Sequence, residues 1–67
     1  MYKGWCCGYE SGVQGGGIFY LLAKDYSEAF DLAEKYFVEK GIWNLVGKSN
    51  MSITEVQYIP TNVVLIF

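Results

Sequence analysis

The sequence predicts an α+β domain: a mainly antiparallel sheet of four to five strands with one helix packed on one face, in the order β-β-α-(β)-β-β. Three observations predict it. Residues Tyr26 to Lys40 carry sustained helical periodicity, apolar runs rich in β-formers lie before and after them, and glycine clusters and a Pro-Thr-Asn stretch separate those runs. The 67 residues are expected to form a single domain, 1–67, near the lower size at which one hydrophobic core offsets chain entropy.

The first strand covers Tyr2 to Cys7, where Tyr2, Gly4 and Cys6 alternate with Lys3, Trp5 and Cys7, so one face is richer in aromatic and thiol groups. Gly8 to Gly17 follows as a glycine-rich loop, the long tip of an antiparallel hairpin. Ile18 to Ala23 is the second strand. It is apolar on both faces, with Ile18, Tyr20 and Leu22 on one and Phe19, Leu21 and Ala23 on the other, which marks an interior strand.

Asp25 can accept amide protons of the first helical turn, and Glu28 stands where a capping box needs it, so the helix starts at Tyr26. Gly41 ends it, because glycine enters the left-handed conformation without steric cost. Leu32, Tyr36, Ala29, Ala33, Tyr26, Phe37 and Phe30 share an apolar arc of roughly 160°. Ala29 and Ala33 at its centre permit close approach to a sheet. Val38 interrupts the polar arc and is the anomaly of the helix.

Ile42 to Val46 forms a short third strand or an ordered connection, and Gly47 to Asn50 a turn. Ser52 to Ile59 is a strand that sets Glu55 and Gln57 against Val56 and Tyr58, with one face towards water. Pro60 to Asn62 reverses the chain, and Val63 to Phe67 is a last strand, apolar on both faces. Left on an open edge it would be an aggregation hazard, so it pairs centrally, beside strand two, or with the same strand of another copy.

A chain this small needs reinforcement. Adjacent Cys6 and Cys7 close no useful loop, and two cysteines without histidine do not make a structural zinc site. Association remains, and 52% hydrophobic with 18% aromatic residues is more than one helix on one sheet can bury. A homo-oligomer and a protein partner are therefore expected. Five lysines without arginine at net charge −2 disfavour nucleic acid. The longest C-terminal apolar run is far too short for a bilayer, so we expect no membrane association and a cytoplasmic location with reduced thiols.

No catalytic, cofactor or metal residue is assigned, and no enzyme activity is expected. Gly47-Lys48-Ser49 has the ending of a phosphate-binding loop, but Ile42 stands where its first glycine belongs. Glu10 is the nearest candidate base for Cys7, and histidine is absent. The acids Asp25, Glu28, Asp31, Glu34 and Glu39 line the helix as a solvated face, with Lys35 among them. The candidate interaction residues are Trp5, Tyr9, Glu10, Val38, Trp43 and Tyr58: five are aromatic or apolar side chains in excess of one small core, and Glu10 sits in the glycine loop.

In its length, acidity, aromatic content and strand-to-capped-helix segment, the chain resembles the very small accessory proteins that bacteriophages encode to inhibit or redirect host proteins, including antagonists of antiviral defence. That resemblance implies a non-catalytic, self-associating interaction protein acting in the host cytoplasm, and it assigns no residue a role. Two alternatives stand beside it. One is an oligomeric small-molecule binder that sequesters a nucleotide signal between subunits under the Gly8–Gly17 loop; the other is a small structural subunit of a larger assembly.

Overall fold

The computed structural model describes residues 1–12, 15–47 and 50–66. The element order is β1 (Lys3–Glu10), β2 (Gly16–Ala23), α1 (Tyr26–Lys40), α2 (Trp43–Val46), β3 (Met51–Val56) and β4 (Leu65–Ile66). β1 pairs antiparallel with both β2 and β3, and the two-residue β4 adds to β2 in parallel, so the order across the sheet is β3-β1-β2-β4. The α+β outline of the sequence reading holds as a three-stranded antiparallel sheet with helices. The element-by-element expectation needs correction in three places.

First, Ile42 to Val46 is no strand. Trp43–Val46 closes a single helical turn in which the Leu45 and Val46 amides donate to the Ile42 carbonyl. The β-formers there are overridden because Val46 is buried and Trp43 stacks on Phe37, 6.0 Å between ring centres. Second, the glycine-rich loop is shorter than expected, since β1 runs to Glu10 and β2 begins at Gly16. Tyr9 pairs with Gly17, where an added Cβ would stand only 2.8 Å from the Tyr9 hydroxyl, and one at Gly16 would meet the Tyr9 carbonyl oxygen. These two glycines are there for packing. Ser11 closes the tip, its amide and hydroxyl both donating to the Gly15 carbonyl.

Third, the last strand lies beside strand two, but at the edge of the sheet and in parallel rather than centrally, and only Leu65–Ile66 pairs. Lys48, Ser49 and Phe67, on which the turn, the phosphate-loop reading and the end of that strand fell, lie outside the described residues.

Helix α1 begins and ends where its caps dictate. Asp25 Oδ1 accepts the Glu28 amide at 2.9 Å, and Glu28 Oε1 accepts the Lys24 amide, one residue earlier than a capping box would have it. At the other end Gly41 adopts φ 76°, its amide donating to the Val38 carbonyl and that of Ile42 to Phe37, which is the Schellman arrangement. Ala29, Ala33 and Phe37 are fully buried against the sheet. With Trp5, Cys7, Phe19, Leu21, Ala23 and Val46 they make the core. Trp5 satisfies its indole N–H inside it by donating to the Ala23 carbonyl at 3.1 Å.

No helix among the described residues is long and apolar enough to cross a membrane.

Candidate functional site

Strand registry sorts the side chains into two sets, because residues directly opposite each other in a sheet point to the same face. Trp5, Cys7 and Tyr9 on β1, Phe19 and Leu21 on β2, and Ile53 on β3 face the helix. Gly4, Cys6, Gly8 and Glu10, Ile18, Tyr20 and Leu22, Ser52, Thr54 and Val56 form the opposite face, and Leu65 joins them beside Tyr20. Glu55 pairs with Trp5 and so lies on the helix side, at its rim, 3.8 Å from the Lys3 ammonium. Glu55 reaches water at that rim, as expected, whereas Val56 is half-buried on the side with no helix.

That second face is the strongest candidate surface. Ile18 is 59% exposed, Leu65 is exposed, and Tyr20, Leu22 and Val56 are half-buried. The connection from β3 to β4 crosses one end of it and sets Ile59 over Gly4, where an added Cβ would lie 3.1 Å from Ile59 Cγ1. Gly8, by contrast, has only Ile18 within reach of an added Cβ, at 3.8 Å, and keeps a shallow notch beside Cys6.

The two cysteines fall on different faces and behave differently. Burial, with a smaller contribution from Cys6, pushes the Cys7 thiol up to about 12. Cys6 is half-exposed in the middle of the second face. The Tyr20 hydroxyl is held above its ordinary range first by its hydrogen bond to the Cys6 side chain, then by desolvation and by the charges that Cys6 and Tyr58 would carry. Cys6, Tyr20 and Tyr58 therefore form one cluster. Glu10 shares its face with Cys6, so β1 separates it from Cys7, and the two do not form a nucleophile–base pair.

The structure does not bring the six sequence-picked interaction residues together. Trp5 is 6% exposed and belongs to the core. Tyr9 and Trp43 are partly buried against the same aromatic hub, with Tyr9 edge-on to Phe37 at 4.9 Å. Val38, 57% exposed, projects from the helix, Glu10 stands exposed at the end of β1, and Tyr58, 76% exposed, follows β3. Only Glu10 and Tyr58 belong with the second face. Sequence reasoning passed over Cys6, Ile18, Tyr20 and Leu22, although the two-sided apolar character of β2 was the signal that could have found them.

Two open clefts lie beside these surfaces. One of about 410 Å³ is lined by Tyr2, Leu22, Glu28 and Leu32, beside Lys24, whose ammonium lies over the Tyr2 ring. The other, about 480 Å³, is lined by Gly8, Tyr9, Glu10, Asn50, Met51 and Ser52. The second adjoins the hairpin but has no long loop to close it, because residues 11–15 alone connect the two strands. No family model matches the chain, and no curated protein or solved structure matches it.

Proposed function

We propose that this chain is a non-catalytic, self-associating protein-interaction module that binds and inhibits or redirects another macromolecule, of the kind a phage uses against host defence. The observation that supports the reading is the apolar sheet face turned away from the helix. Large side chains placed there by strand registry remain in contact with water, and a contiguous apolar area on a small domain ordinarily marks a surface that is covered in use. The shortened hairpin tip weighs against the ligand-sequestering alternative, which needs a loop long enough to fold over a bound molecule.

Light scattering over a range of concentrations, with native mass spectrometry on the same sample, tests the reading. A defined oligomer of unmodified mass supports it. A monomer at every concentration contradicts self-association, and an added small mass that leaves on denaturation favours ligand sequestration instead.

A further inference from the structure

We infer that the face of the sheet opposite α1 is covered by a second copy of this chain, packed face to face about a two-fold axis with strands opposed, so that Glu10 of each copy meets Lys24 of the other. The inference rests on the self-association proposed above and names its surface, partner and orientation.

Charge selects the second copy. Between its two ends this face carries no ionised side chain among the described residues: Cys6, Ile18, Tyr20, Leu22, Ser52, Thr54, Val56 and Leu65 are neutral. The outer side of α1 instead carries Asp31, Glu34 and Glu39, in a chain of net charge −2. Two copies meeting through their sheets place these helices on the outside. With sheets about 10 Å apart and each helix about 10 Å beyond its sheet, the acidic ridges stand roughly 30 Å from each other, nearly four screening lengths of about 8 Å in physiological salt. Meeting through the helices would oppose like charges.

The ends of the face fix the orientation. Cys6 is paired with Tyr20 at its middle. Four residues along β1 in one direction lies Glu10; four residues in the other lies Tyr2, with the Lys24 ammonium over its ring at 5.6 Å. A two-fold axis through the Cys6–Tyr20 level, running across the strands, carries Glu10 of one copy onto the Tyr2–Lys24 end of its partner. Each Glu10 then meets the Lys24 ammonium of the other copy, at an end that Glu28 also lines, and the contact is made twice, as an isologous interface requires. The same operation sets Leu22 over Ile18 of the other copy.

Area favours the face over the sheet edge. The four strands, about 27, 27, 20 and 7 Å long and about 4.8 Å apart, project roughly 400 Å², the scale of a small interface rather than the ~800 Å² per partner of a standard one. The free edge of β3 offers only a strip six residues long.

Cys6 supplies a built-in reporter, since the buried Cys7 thiol stays protonated and silent near neutral pH. The experiment combines light scattering with the rate of Cys6 alkylation by iodoacetamide, both against protein concentration. The expected result is a dimer in which Cys6 reacts at least tenfold more slowly than in dilute monomer. Ile18→Glu should raise the dissociation constant ~100-fold or more, whereas Val38→Glu on the helix should leave it unchanged. Glu10→Lys should weaken the dimer roughly tenfold, and Glu10→Lys with Lys24→Glu should restore it.

An oligomer that keeps its mass in Ile18→Glu and leaves Cys6 reactive would overturn the inference while leaving self-association intact. Failure of the double charge exchange to restore the dimer would overturn the opposed orientation. A monomer throughout would overturn both the inference and the reading beneath it. Because Ile18 and Glu10 are exposed, circular dichroism of each variant separates a lost interface from a lost fold.

Discussion

The two faces of one sheet are built from the same strands, yet only one of them is a finished core. Towards α1, β1 and β2 present Trp5, Cys7, Phe19, Leu21 and Ala23, each buried, and the helix answers with two alanines and Phe37. Away from it the same strands present three glycines, Glu10, a half-exposed thiol, Ile18, Tyr20 and Leu22, met among the described residues by the crossing segment around Ile59. Apolar content alone does not separate the two faces. What separates them is whether this chain supplies the covering layer, which teaches that a two-sided apolar strand in a short chain announces a requirement for a second layer without saying which molecule provides it.

The largest expected effect lies on the finished side. Phe37 contacts the rings of Tyr9, Phe19, Tyr36 and Trp43, so Phe37→Ala should cost about 3–5 kcal/mol. For a domain whose total stability is on the order of 3–10 kcal/mol, that leaves little folded protein. Ile18→Ala on the other side should cost under about 1 kcal/mol when measured by urea denaturation of dilute monomer. Equal losses would show that the second face is a core as well.

Next comes the pH dependence of the buried thiol. The folded-state value of Cys7, about 12, lies above the ordinary 9.0, so its contribution is fully present below pH 9 and is lost as pH rises towards 12. Over that whole window the unfolded state gains up to roughly 4 kcal/mol from ionising alone. Urea midpoints between pH 7 and 10.5 should fall more steeply for the native chain than for Cys7→Ala. A parallel fall in the two would break the link to this thiol.

Smaller effects separate local caps from packing. Asp25→Ala removes the carboxylate that accepts the Glu28 amide and should cost ~1 kcal/mol by the same denaturation assay. Gly41→Ala, at φ 76°, should cost about 1 kcal/mol as well, through strain at the helix end. Lys3→Ala should change stability least, by ~0.5 kcal/mol or less, because its pair with Glu55 is half-exposed on both sides. A loss above 1 kcal/mol there would make the rim a structural element in its own right.

Helix α1 was legible in the sequence from Asp25 to Gly41 because both its caps and its apolar arc are local properties, decided within a few residues. β2 was legible as an interior strand for a similar reason. The interaction residues were read less well. Trp5 was weighed between core and interface by size alone, and only the fold shows its ring in the core with its N–H on the Ala23 carbonyl. Tyr9 and Trp43 were picked as interface aromatics, whereas both lean on Phe37, Tyr9 from a strand far away in the chain and Trp43 through the tight turn after Gly41.

By itself, then, the sequence determined the helix and its ends, the apolar strands and the excess of apolar surface, all of which follow from periodicity, capping chemistry and composition. Tertiary structure alone decided which face of β3 meets the helix, that Ile42 to Val46 turns into α2, that Gly16 and Gly17 make room for Tyr9, and that Cys6 and Cys7 part to opposite sides. The physical reason is registry. A strand's pattern names two sets of side chains, and only pairing with distant strands settles which set the helix covers.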